Sequence, residues 1–334
     1  MFSTATTIEH AAPRHGGGGL RSFARRLRSG DEIAHILTLM FAAGILALTS
    51  LVVYELWINS HLSRAKFGWQ FFWTRTWDPI FDNFGAAPFI YGTLVTSLLA
   101  LLLAVPVGLA SAIFLSELAP RKISDVLAFM IDLLAAVPSV IYGLLGVFIV
   151  VPLVRTTLGP LLINTLGPVP VIGALFKPPN YGVGFFTAGL VLAIMVVPFI
   201  ISVSREVLLT VPREQREAAL ALGATRWEST WKVVVPWART GIMGSIFLAL
   251  ARALGETMAV TMVIGNDPKI SASIFAPGYT IAAVIANEFT EATGDLYLSA
   301  LIELGLVLFL MTFILNGLAR ILILATERGG GHPA

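Results

Sequence analysis

The chain has 334 residues, of which 56% are hydrophobic and 13% charged, with a formal net charge of +2 and a mean hydropathy of +0.83. Soluble domains carry roughly 25% charged residues, and several apolar runs here exceed the ~20 residues that cross a bilayer. An ordinary soluble domain is therefore excluded, and the absence of cysteine excludes disulfides, thiolate metal sites and a cysteine nucleophile. The runs are continuously apolar instead of alternating, which predicts an all-α membrane protein and not a transmembrane barrel.

Residues 1–32 form a basic arm, with Arg14, Arg21, Arg25, Arg26 and Arg28 around the run Gly16 to Gly19. A long apolar span follows at once, so the arm reads as an inside anchor in preference to a targeting peptide or a nucleic-acid tail. The first span is placed at Ile33 to Trp57. Residues 58–88 then bring Trp69, Trp73 and Trp77 after Trp57, together with several Phe residues. This pattern is read as an interfacial belt, with a contact for an external partner as the alternative.

The second span is placed at Phe89 to Ser116 and the third at Val126 to Val154, with Asp132 as its only charge and Pro138 as a point to kink or break. The fourth runs from Gly184 to Ser204. After it comes VPREQREAALALGATRWESTWKVVVP, Val211 to Pro236, a polar elbow between two apolar spans. Pro212 is pre-set for a first helical turn and Gly223 for a left-handed helix end, which brackets residues 213–222. Thr225 and Glu228 have capping-box spacing for a second short helix, and Pro236 is expected to interrupt further helix.

The fifth span is placed at Thr240 to Ile264. Arg252 and Glu256, four residues apart, are expected on one face of it, with Arg252 roughly 18 Å from Thr240 at 1.5 Å per residue and so near mid-membrane. Charge at that depth costs at least ~3 kcal/mol on insertion scales, so Arg252 needs a polar interior and a partner such as Glu256 or Asp132. The bland alternative is a structural ion pair. GYTIAAVIANEF, Gly278 to Phe289, is too short to span and either dips into the membrane or packs on the bundle. The sixth span is placed at Leu296 to Leu324, leaving 326–334 as a tail.

Basic residues stay on the cytoplasmic side of short loops. The arm, Arg121 and Lys122, and the elbow with Arg205, Arg213, Arg216, Arg226, Lys232 and Arg239 all fall on one side if the N-terminus is inside. The loop after span five carries Asp267, Glu288, Glu291 and Asp295 against Lys269 alone, which suits the outside. Both termini are thus expected in the cytoplasm.

Glu217, Ala218, Ala219, Gly223, Val233, Val235 and Pro236 resemble the EAA loop of ABC-importer permeases, with Val where that family usually has Ile and Leu. ARALGETMAV, Ala251 to Val260, and AAVPSVIYGLLG, Ala135 to Gly146, are similar to the PstC-type permease of phosphate-specific ABC importers. The resemblance covers roughly Tyr91 to Arg320 and implies the type I importer permease fold over residues 89–325. It implies ATPase coupling through Glu217, Ala218, Ala219, Gly223 and Pro236, while the few charges inside the membrane, Arg252, Glu256 and Asp132, are the candidates for the substrate pathway. The partners it implies are a homologous second permease, a cytoplasmic ATPase dimer holding ATP and Mg, and an extracytoplasmic phosphate-binding protein, in a prokaryotic inner membrane.

The residues themselves fit a conduit. No G-x-x-x-x-G-K-[ST] phosphate loop occurs, so energy must come from another subunit and no cofactor is expected on this chain. The histidines, at positions 10, 15, 35, 61 and 332, include no pair at zinc-ligand spacing, and no G-x-S-x-G elbow is present. Three alternatives remain open: a permease for another oxyanion such as molybdate or sulfate, a membrane enzyme using Asp132, Glu256 and Glu303, and a membrane receptor.

Overall fold

The structure is a computed structural model that describes residues 31–170 and 172–329; the N-terminal arm and residues 330–334 lie outside that range. Regular structure among the described residues is helical apart from two isolated bridges, Asp78 with Asn83 and Gly265 with Gly278. In chain order the helices are α1 (Asp31–Asn59), α2 (His61–Phe67), α3 (Ala87–Leu118), α4 (Arg121–Ala135), α5 (Ser139–Leu166), α6 (Phe185–Leu209), α7 (Arg213–Ala221), α8 (Arg226–Leu254), α9 (Met258–Val263), α10 (Ile281–Glu288) and α11 (Asp295–Gly329). Six of them, α1, α3, α5, α6, α8 and α11, are long and apolar enough to cross a membrane.

The chain divides into two compact units, residues 1–55 and 56–334. The described part of the first is helix. Its hydroxyls return to the backbone, Thr49 Oγ1 to Ile45 O at 2.9 Å and Ser50 Oγ to Leu46 O at 2.8 Å, so an apolar helix keeps its polar atoms satisfied without water.

In the second unit α6 is central, with Ala188, Leu192, Val196 and Ile200 buried. It lies close against α3 because a glycine on each helix leaves room for a large side chain of the other: a Cβ added at Gly108 would stand 2.7 Å from Ile200, and one at Gly189 2.7 Å from Leu99. Close backbone approach of this kind drives helix association where lipid supplies no hydrophobic force.

The third apolar stretch differs from its sequence placement at Val126 to Val154. It is two helices, α4 and α5, and the spanning one runs Ser139–Leu166. Pro138 makes the break: it has no amide to donate and biases Val137 away from helical angles. Tyr142 Oη donates to the Leu134 carbonyl at 2.8 Å, which also accepts from Val137 N–H at 3.2 Å. Asp132 therefore sits on α4, outside the candidate spans, and Arg155 is the charge that α5 carries.

The fifth stretch is also shifted. Its helix runs Arg226–Leu254 instead of Thr240 to Ile264, and Pro236 does not interrupt it. A π-turn at Thr230–Val234 precedes the proline, with Val235 N–H reaching back to Thr230 O. Displacing the hydrogen-bond ladder by one residue lets a proline pass within a continuous helix. The helix ends instead at Gly255, and α9 begins after it.

The aromatic segment divides between surface and core. Trp69 and Trp73 are exposed, but Phe71, Phe84 and Phe89 are fully buried. Trp77 packs edge-on at 4.9 Å from both Phe84 and Phe89, and its Nε1 donates to Glu288 at 2.8 Å. Glu288 also accepts from Tyr297 Oη at 2.6 Å. The apolar run before it forms α10, whose Ile281, Ala282, Ala283 and Val284 are buried, so this run packs on the bundle.

Candidate coupling elbow and substrate path

The elbow is specified by local hydrogen bonds. Gly223 has φ +88°, its N–H donates to Leu220 O at 3.0 Å, and Ala224 N–H donates to Ala219 O at 3.1 Å. This is the two-bond Schellman closure of a helix. Two residues on, Thr225 Oγ1 accepts from Glu228 N–H at 3.2 Å and the Glu228 carboxylate accepts from Thr225 N–H at 3.0 Å, so the expected capping box forms. Glu217, Ala218 and Pro236 are exposed and Ala219 is half-buried.

Two features of the elbow were not legible in the sequence. Arg216 clamps Glu117 at the end of α3, Nε to Oε2 at 3.0 Å and Nη2 to Oε1 at 2.8 Å, and also donates to Leu208 O at 2.8 Å. An apolar surface is the second: Leu222 is 90% exposed, and Trp227 and Trp231 meet edge-on at 5.6 Å while still exposed. These large side chains are left open on an otherwise polar elbow.

Arg252 and Glu256 do not share a helical face. Arg252 is in the last turn of α8, where a cation suits the helix dipole, and Glu256 lies beyond the break at Gly255. The Glu256 carboxylate accepts from Ala259 N–H at 3.2 Å, satisfying a free amide at the start of α9. Among the described residues Arg252 makes no ion pair with Glu256 or Asp132. It is exposed and within electrostatic reach of Tyr142 on α5. Asp132 is also exposed and accepts from Ser202 of α6 at 2.8 Å. Glu303 is buried on α11, beside Ser63 and Arg64. No group of three or more His, Cys, Asp or Glu among the described residues could hold a metal.

Six apolar helices with a polar elbow between the fourth and fifth define a multi-pass membrane permease of the type I ABC importer fold. A family model described as "Binding-protein-dependent transport system inner membrane component" matches residues 104–327, and the chain belongs to that family. It is a transporter subunit of the inner membrane and not an enzyme.

A "Phosphate transport system permease protein PstC" of Mesorhizobium japonicum is 46% identical over 307 residues, 92% of this chain and 94% of the relative. Proteins of the same description from Xylella fastidiosa and Pasteurella multocida are 45% identical over 98% of this chain and 100% of the relative, and 48% identical over 88% and 92%. The solved structure of a bacterial ABC transporter involved in the import of alginate matches with TM-score 0.56 at 17% identity, covering 88% of this chain and 98% of that one. An inward-facing MetNI methionine ABC transporter matches with TM-score 0.54 at 15% identity, over 75% and 99%. Both bear out the fold.

Proposed function

We propose that this chain is a permease subunit of an ATP-driven importer of inorganic phosphate, working by alternating access. A homologous second permease completes the path, an extracytoplasmic binding protein delivers phosphate, and a cytoplasmic ATPase dimer that holds ATP and Mg docks on the elbow. The chain itself binds no cofactor. The observation that carries the anion path is Arg252: an exposed guanidinium without an ion-pair partner among the described residues, at the end of α8 where the helix breaks. Broken helices in membranes are tolerated where they line protein or a water-filled cavity, and their ends are where transporters place charge. The relatives named for phosphate transport, 45–48% identical over most of the chain, support phosphate over other oxyanions.

On this reading Glu256 holds the start of α9 so that the break keeps its shape, and Asp132 acts further off, by fastening α4 to α6. The exposed Leu222, Trp227 and Trp231 give the elbow apolar area to bury on the ATPase, while the Arg216–Glu117 clamp transmits elbow movement to α3. Both termini then lie in the cytoplasm. The test is the assembled complex in liposomes with its binding protein: phosphate should stimulate ATP hydrolysis and uptake, whereas stimulation by molybdate or sulfate but not phosphate would overturn the substrate.

A further inference from the structure

The face that carries the elbow also holds a cleft of about 740 Å³ between α7 and the ends of α3, α4, α6 and α8. Five arginines and three carboxylates line it. Arg216 and Glu117 neutralise each other in their bidentate pair, leaving Arg121, Arg205, Arg213 and Arg226 against Asp125 and Glu217. Arg121, Arg213 and Arg226 are exposed, and their guanidinium groups make no hydrogen bond or ion pair with the described residues.

Arg205 is the undersatisfied member. Its side chain is 16% exposed and its Nη1 bonds Glu206 at 3.1 Å, but Nη2 reaches only Ser124 at 3.5 Å and Asp125 at 3.6 Å. Its Nε is buried without a partner among the described residues. A buried guanidinium donor left unmade is costly and calls for an explanation. The first turns of α4 and α7, which begin at Arg121 and Arg213, also border the cleft, and neither has a side-chain cap, adding free N–H groups and positive dipole ends.

The geometry points to a binding site for a phosphate-bearing anion in this cleft, separate from the Arg252 path and independent of the phosphate reading above. Arginine forks match phosphate oxygens in bidentate geometry, and basic pockets between membrane helices take lipid headgroups as well as free anions. The cleft has room for either source, and it takes only the first turns of α8, at the opposite end of that helix from Arg252, and no residue of α9.

The assembled permease and ATPase complex, without binding protein, is placed in nanodiscs and its thermal unfolding followed. In one arm inorganic phosphate is titrated into phosphatidylcholine discs against chloride at equal ionic strength; in the other, phosphatidylglycerol replaces phosphatidylcholine without free phosphate. A saturable stabilisation is expected in at least one arm, and the arm that shows it identifies the source. Arg213→Gln with Arg226→Gln, which strands no carboxylate, is expected to raise the half-saturating amount at least tenfold. Arg252→Gln is expected to leave it within twofold. Should the glutamine pair fail to assemble, Arg226→Gln alone is expected to raise it about threefold, and no change would overturn the site. So would stabilisation in neither arm, or equal stabilisation of the double variant. Loss with Arg252→Gln and retention in the double variant would place the anion in the transport path, overturning the cleft site while leaving the transport reading intact.

Discussion

Arg216 on α7 holds Glu117 at the end of α3 through two parallel hydrogen bonds, 3.0 and 2.8 Å, with both side chains largely withdrawn from solvent, at 21% and 9% exposure. Ninety-nine residues separate them in sequence. The pair fastens a short surface helix, which has no buried residue of its own, to a membrane helix. Removing one partner of a buried pair costs about 3 kcal/mol because the other charge is stranded. Glu117→Ala is therefore expected to loosen α7, read as faster amide exchange over residues 213–221, and to lower uptake more than complex assembly. Unchanged exchange would show that the clamp does not hold the elbow.

Gly223 has open space where a Cβ would stand, so a substitution there meets no steric block. The cost lies in the backbone, where an L-residue in the left-handed region loses roughly 1–2 kcal/mol. Gly223→Val is expected to misdirect Leu222 and the Trp227–Trp231 pair while leaving the membrane spans alone. ATPase retained on the purified complex should fall together with uptake; full retention with normal uptake would remove the elbow from coupling.

Arg252 and Glu256 should separate in their effects. Arg252→Gln is expected to abolish phosphate uptake with the complex intact, since the exposed guanidinium makes no ion pair among the described residues and its loss strands no partner. Glu256→Gln keeps a carbonyl acceptor for Ala259 N–H and should be mild, whereas Glu256→Ala removes the cap and should cost ~1 kcal/mol. The double replacement by Gln is expected to assemble and remain inactive. Uptake restored in it would mean that the two side chains serve each other and not the substrate.

Reporter fusions test both the topology and the displaced third span. Sites after Lys122 and Trp227 should report the cytoplasm, and sites near Trp69, Lys177 and Thr290 the outer side. A fusion after Ala135 is expected to agree with Lys122, because α4 ends there and α5 has not begun. An outer-side report at Ala135 would restore a span across Val126.

Trp77 is expected to matter for stability well beyond an interfacial side chain. Trp77→Ala removes three edge-on ring contacts, with Phe84, Phe89 and Tyr297, and leaves Glu288 without one of its two donors. Loss on the order of 3 kcal/mol is expected from the cavity alone. The check is the thermal midpoint of the complex against Trp73→Ala, whose exposed ring should be nearly silent.

The sequence by itself determined the membrane class, the number of spanning helices and the form of the elbow. Hydropathy over twenty residues is a property of the segment alone, and the signals at Pro212, Gly223, Thr225 and Glu228 act within three or four residues, so no distant partner is needed to read them. What only the tertiary structure decided lies where an apolar run contains a change of direction. Pro138 ends one helix but Pro236 does not, since a π-turn at Thr230–Val234 realigns the ladder ahead of the second proline; hydropathy averages over both. The break at Gly255 took Glu256 off the face of Arg252 and gave it to α9, and the break at Pro138 took Asp132 out of the span and gave it to Ser202. Arg216 with Glu117 and Trp77 with Glu288 are joined across about a hundred residues or more, and their spacing in sequence carries no trace of the contact. A charge shows in the sequence only that it needs a partner; which partner it finds is set by how the helices pack.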